Sequence, residues 1–107
     1  MLIVLLVFLL LILIFMCCKA SLEVCGTNPM TGYFRDGYCR TDSSDSGKHT
    51  VCATLTDDFL NFTRANGNPL SGLKAGDNWC ICESRWLEAK KAGIELPIKL
   101  EASNILL

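Results

Sequence analysis

Fifteen consecutive residues, Leu2 to Met16, carry no polar side chain, and Cys17 and Cys18 extend the run to the first charge at Lys19. A stretch of that kind decides what surrounds the rest of the chain, and therefore what chemistry its seven cysteines meet. As a helix rising about 1.5 Å per residue, positions 1–18 would reach roughly 27 Å, against a hydrocarbon core of about 30 Å. Leu, Ile, Val and Phe each favour insertion by about 0.3–0.6 kcal/mol, so the run as a whole favours the bilayer by several kcal/mol. The expectation is a single-pass membrane protein, held to the membrane through an N-terminal hydrophobic helix.

Two other uses of the run stay open. Cys18-Lys19-Ala20 offers a cleavage site, which would make positions 1–18 a signal peptide and the mature chain secreted, although no basic segment precedes the apolar core. Alternatively, translation begins further on. Topology is also open, because Lys19, Arg35 and Arg40 are offset by Glu23 and Asp36.

The division expected is a transmembrane or signal segment at 1–18 and one small α/β domain at 19–107, too short to split again. All charged residues fall in the second part, so the net charge of −1 belongs to it, while the mean hydropathy of +0.33 comes largely from the leader. No basic stripe interleaved with aromatics is present, which argues against nucleic acid as a partner. A core this small benefits from staples, and Cys25, Cys39, Cys52, Cys80 and Cys82 are the candidates.

Cys25 to Gly47 is dense in turn formers and reads as loop. His49 to Leu55 alternates, with Val51, Ala53 and Leu55 on one face and Thr50, Cys52 and Thr54 on the other, the pattern of a half-buried strand. Thr56 is a good N-cap for a following helix, with Asp57 and Asp58 in its first turn, Leu55 and Leu60 at staple positions, and Gly67 before Pro69 ending it. Trp79 to Cys82 reads as a second strand, and Ser84 as the cap of a second helix, Arg85 to Ala92, with Glu88 and Lys91 as its ion pair. Leu96 to Ala102 alternates again as a third strand. The fold expected is α/β (or α+β), a small two-layer domain with a three-stranded sheet and two helices.

Several uncommon words occur in order along the chain. C-G-T-N-P-M-T-G-Y-F-R-D-G-Y-C spans Cys25 to Cys39, G-K-H-T-V-C-A spans Gly47 to Ala53, and T-D-D-F-L spans Thr56 to Leu60. G-L-K-A-G-D-N-W-C-I-C-E-S-R-W-L-E-A spans Gly72 to Ala89, and L-E-A closes the series at Leu100 to Ala102. Over about Leu22 to Ala102 the chain resembles domain-of-unknown-function family 2237, a group of uncharacterised, mainly bacterial proteins. The resemblance implies no activity. It also marks departures: members carry a longer Pro-rich insert where this chain passes directly from Leu70-Ser71 to Gly72-Leu73. They have a His where Asn104 stands, and they lack a hydrophobic leader.

Cys25, Cys39, His49, Cys52, Cys80 and Cys82 form the soft-ligand set, weak candidates for a metal because no pair has the two-residue spacing of a zinc turn. On a strand, Cys80 and Cys82 share a face about 7 Å apart, and His49 and Cys52 face opposite ways. In an oxidising compartment, Cys25 with Cys39, and Cys52 with Cys80 or Cys82, are candidate disulfides; in a reducing one these cysteines are small buried side chains. For thiol catalysis Cys82 is best placed, just before a helix N-terminus and near Arg85, with His49 as its base if the first two strands are neighbours.

Arg35, Asp36 and Arg85 are binding candidates. Arg35 would either grip a ligand carboxylate or phosphate, or anchor its own loop through Asp36 or Asp77. Trp79 and Trp86 read as core, and Asn61-Phe62-Thr63 as an accidental glycosylation pattern inside a helix. No cofactor is implied, and a protein or small-molecule partner is left unnamed. Two functions follow: a membrane-tethered domain with a binding or structural role, or a thiol- or metal-dependent enzyme using the Cys/His set.

Overall fold

The computed structural model describes residues 3–9 and 21–105. Residues 3–9 are helical (α1), and each is exposed. The rest of the expected leader, positions 1–2 and 10–18, lies outside the described residues. Among those described, no helix is long and apolar enough to cross a membrane. The single-pass membrane placement drawn from the apolar run is corrected accordingly, and with it the membrane as a partner.

The remaining elements are β1 (Val51–Thr54), α2 (Asp57–Ala65), β2 (Asn78–Ile81), α3 (Glu83–Lys91) and a 3-10 turn at Leu100–Ala102. β1 and β2 pair antiparallel, with Val51 opposite Ile81, Cys52 opposite Cys80 and Ala53 opposite Trp79. Residues directly opposite share a face. The alternation therefore sorts the sheet into two chemically different sides. Val51, Ala53 and Ile81 pack with Leu55, Phe59 and Leu60 around α2 and with Ala89 of α3. On the other side Cys52 and Cys80 join Cys25, Cys39 and Ala102 in a second buried cluster.

The sheet has two strands, so the expected three-stranded sheet is corrected. Leu96 to Ala102 does approach β1, as one isolated bridge between Ile98 and Ala53, held by Thr54 N–H to the Pro97 carbonyl and Lys99 N–H to the Cys52 carbonyl. The next ladder bond would run directly from the Cys52 N–H to the Lys99 carbonyl. Instead the Ser103 hydroxyl sits between them, accepting from the Cys52 N–H at 2.9 Å and donating to the Lys99 carbonyl at 2.7 Å. The chain between them bulges into the 3-10 turn, which turns Ala102 inward among the cysteines.

Both helices are explained by their ends. Thr56 caps α2, its hydroxyl accepting the Phe59 N–H at 3.2 Å, and Asp57 and Asp58 occupy the first turn. Gly67 (φ +86°) follows in the left-handed conformation that ends a helix cheaply. α3 begins one residue before Ser84, which is inside the helix and does not cap it; Cys82 holds the N-cap position with no side-chain cap bond. The Lys48 carbonyl replaces the cap by accepting the Glu83 N–H at 3.1 Å. The ion pair on α3 is Arg85 with Glu88, at 3.2 Å, in place of Glu88 with Lys91.

Candidate functional site

The turn from Thr41 to His49 is built around one carboxylate. Asp45 is fully buried, and its Oδ2 accepts from the Thr41 hydroxyl at 3.0 Å and the His49 N–H at 2.9 Å. Its Oδ1 lies 2.7 Å from His49 Nδ1. Burial works against the charged carboxylate, but the bonds from the His49 backbone and ring and from Thr41 outweigh it, and the carboxyl sits below its ordinary range. An ionised carboxylate only accepts, so Nδ1 carries a proton, and in the neutral ring Nε2 is then the acceptor.

What Nε2 faces is Cys82 Sγ, at 3.2 Å. Among the described residues Cys82 is the cysteine outside any disulfide. The pairing of β1 with β2 makes this meeting possible: Val51 opposite Ile81 brings the segment leading into β1, with His49 two residues ahead of Val51, beside Cys82, the residue after β2. Lys48 supports the junction in a left-handed conformation (φ 51°), where its carbonyl accepts both the Thr50 and the Glu83 N–H. The result is a carboxylate–imidazole–thiol array, with the thiol at the positive end of α3. Burial pushes the Cys82 thiol up, the Arg85 guanidinium opposes that push, and the Asp45 charge adds to it. A thiol held in its protonated form can donate to the facing imidazole nitrogen.

Two neighbours hold the ring. Tyr33 stacks on His49 with centroids 6.1 Å apart and planes 19° from parallel, and its hydroxyl donates to the Ser44 carbonyl at 3.1 Å. Gly47 leaves room on the other side: a Cβ there would come within 2.8 Å of His49 Cε1 and 3.3 Å of Cys82 Sγ. The His49 side chain keeps 34% of its exposure and Cys82 is half-buried, so reagents reach the pair from solvent. A groove of about 830 Å³ lined by Ser84, Arg85, Leu87, Glu88, Lys90 and Lys91 runs along α3, beside the pair and not over it.

The structure thus brings Cys82 and His49 together, as the strand-neighbour condition required, and adds Asp45. The sequence signal for Asp45 was present only as a carboxylate four residues before the histidine, inside a segment that reads as polar loop. The binding candidates do not converge on the pair. Arg35 is exposed, with φ 55°; it donates to the Gly32 carbonyl and lies 5.1 Å over the Trp79 ring, pairing with neither Asp36 nor Asp77. Asp36 takes Arg40 instead, at 2.6 Å. Asp77 takes Lys74, at 3.0 Å. Arg85 is committed to the Asn66 carbonyl and Glu88.

The other cysteines pair differently from the arrangement expected. Cys25 bonds Cys52 and Cys39 bonds Cys80, so each disulfide ties the N-terminal loop segment to one strand. The loop is fixed in between by Thr31, fully buried, whose hydroxyl accepts the Cys80 N–H at 2.9 Å. The sulfurs of Cys25, Cys39 and Cys80 all lie within 4.8 Å of one another. His49 takes no part in that cluster, and neither does Cys82, so the soft-ligand set divides into two groups.

A comparison with curated proteins found no match. A family model does match, over residues 16–106, and its description is "uncharacterized protein conserved in bacteria". With that match covering most of its length, the chain belongs to this family of uncharacterised bacterial proteins, DUF2237.

Proposed function

We propose that Cys82 is the nucleophile of an acyl-transfer or hydrolytic site, with His49 as its general base and Asp45 as the residue that orients and electrostatically supports His49. The observation that carries the reading is the continuous chain of contacts Asp45 Oδ1 to His49 Nδ1 at 2.7 Å and His49 Nε2 to Cys82 Sγ at 3.2 Å. As Cys82 Sγ attacks a carbonyl carbon, its proton passes to Nε2, and the C=O π electrons move to oxygen. Collapse of the tetrahedral adduct expels the leaving group, which takes the proton back from Nε2 and leaves a thioester on Cys82. In the second half water gives a proton to His49 Nε2 and attacks the thioester carbonyl; the C–S bond then breaks, Cys82 takes the proton back, and the acid is released. Asp45 stabilises the imidazolium formed in each half without itself being protonated. The α3 N-terminus supports the sulfur when it is anionic.

The test uses the full chain and a small activated ester, p-nitrophenyl acetate. Acetylation is followed by release of nitrophenol, and the modified residue is identified by mass spectrometry. The expected result is acetyl-Cys82, formed faster than on the urea-unfolded chain, with His49→Ala slowing the step by about a hundredfold or more, the size of a general-base contribution. Equal rates in wild type and His49→Ala, with both folded by circular dichroism, would overturn the assignment. So would acetylation spread over lysines with none on Cys82.

A further inference from the structure

We infer that Cys25, Cys39, Cys52 and Cys80 form a second, independent site: a closed tetrathiolate centre that takes up one Zn²⁺ when the two disulfides are reduced. These are the four cysteines of the two disulfides, converging from two loop positions and two facing strand positions. Three of their sulfurs already lie within 4.8 Å of one another, and the fourth, on Cys52, is bonded to one of the three. A tetrahedral zinc with Zn–S bonds of about 2.3 Å needs its sulfurs about 3.8 Å apart. Once the S–S bonds open, side-chain rotation about χ1 can bring the four sulfurs to that spacing, with Cys52, the one outside the 4.8 Å group, moving furthest.

The surroundings suit a structural metal. All four cysteines are at most 2% exposed, so no coordination position is open to water or substrate. Three of the four backbones are held by hydrogen bonds apart from the disulfides: Cys25 N–H by the Gly37 carbonyl, Cys52 N–H by Ser103 Oγ, and Cys80 N–H by Thr31 Oγ1. Cys52 and Cys80 are directly opposed in the antiparallel register, which fixes two ligands relative to each other. Reduction would otherwise leave four thiols crowded in a dry cluster and the N-terminal segment untied. Each disulfide takes two electrons and two protons from a dithiol, which leaves as its own disulfide. Zn²⁺ then displaces four protons to solvent and forms four Zn–S bonds. The same four positions thereby cross-link the segment in either redox state.

The experiment reduces the full chain with dithiothreitol, desalts it without oxygen, and titrates it with Co²⁺ as a spectroscopic probe and then with Zn²⁺. Expected are one Co²⁺ per chain, the intense visible bands of tetrahedral thiolate cobalt, and their loss as Zn²⁺ displaces it. Cys82→Ser and His49→Ala should titrate as wild type, whereas Cys39→Ser or Cys80→Ser should lose the four-sulfur spectrum and weaken binding by at least a hundredfold. Near-ultraviolet circular dichroism of Trp79 and Trp86 reads the fold in parallel: it should fade in the reduced, metal-free chain and return with Zn²⁺. Failure to bind cobalt stoichiometrically, a spectrum that depends on Cys82 or His49, or a reduced chain that Zn²⁺ leaves unfolded would each overturn the inference.

Discussion

Removing one disulfide is the perturbation whose cost the structure sets most directly. The Cys39–Cys80 bond closes a loop of 41 residues and the Cys25–Cys52 bond one of 27. Loop-closure entropy assigns the first about 3.9 kcal/mol and the second about 3.6 kcal/mol at 25 °C. Replacing Cys39 and Cys80 together by Ala also deletes two buried sulfurs, adding about 1–2 kcal/mol for lost packing. A small domain holds only about 5–15 kcal/mol in total, so this double variant should be close to half unfolded or marginally stable. At roughly 4–8 °C per kcal/mol, its midpoint should fall by at least about 15 °C. Urea unfolding in a chelator, followed by tryptophan emission, gives the free energy directly. The m-value should rise, since an unfolded chain with one fewer cross-link exposes more surface. The two loops interleave in sequence, so each bond shortens the loop the other effectively closes, and the four-cysteine variant should lose more than the sum of the two double variants. A loss below about 1 kcal/mol for the Cys39/Cys80 variant would refute the reasoning, because neither the unfolded-state constraint nor the buried packing would then hold.

Ser103→Ala strips a partner from both the Cys52 N–H and the Lys99 carbonyl; it should cost about 1–3 kcal/mol and raise amide exchange at Cys52 selectively. Gly47→Ala places a methyl 2.8 Å from His49 Cε1 and should slow acetylation of Cys82 while leaving the urea midpoint within about 1 kcal/mol, a split that kinetics and unfolding separate. Asp45 is held below its ordinary value of 3.8 when folded, so its stabilisation is complete above the carboxylate range and lost as pH falls through the folded value. The stability gap between wild type and Asp45→Asn should therefore stay level near neutral pH and close at acid pH, which unfolding midpoints across pH would check. Arg35→Ala removes one carbonyl bond and an exposed contact over Trp79, and should cost no more than about 1 kcal/mol without changing Cys82 acetylation.

Much of the local structure could be read from the sequence. Period-two alternation over His49 to Leu55 and over Trp79 to Ile81 set which side chains share a face, and the sheet keeps that division, aliphatic on one side and Cys52 with Cys80 on the other; Cys82, past the end of the strand, leaves that face for His49. The Thr56 cap and the Gly67 stop framed α2 because capping depends on residues within a turn of each other. Alternation was misleading at Leu96 to Ala102. Whether such a segment becomes a strand depends on a neighbour's edge bonds, and here Ser103 intercepts the Cys52 N–H after a single bridge. At the N-terminus the apolar run suggested a spanning helix, whereas among the described residues no helix is long and apolar enough to cross a membrane.

The sequence by itself determined the thiols, the histidine, the strand that carries Cys80 and the helix that follows Cys82, because these depend on residue identity and short-range pattern. It also carried the words that place the chain in its family. Only the tertiary structure decided which sulfur meets which. Cys25 and Cys39 share one loop segment, yet each bonds to a different strand, because antiparallel pairing sets Cys52 beside Cys80 and the loop spans both. The same pairing decided that His49 reaches Cys82 across 33 positions, and the turn from Thr41 to Lys48 decided that Asp45 lies behind the ring. Contacts of that range follow from strand register and turn geometry, which no spacing along the chain encodes.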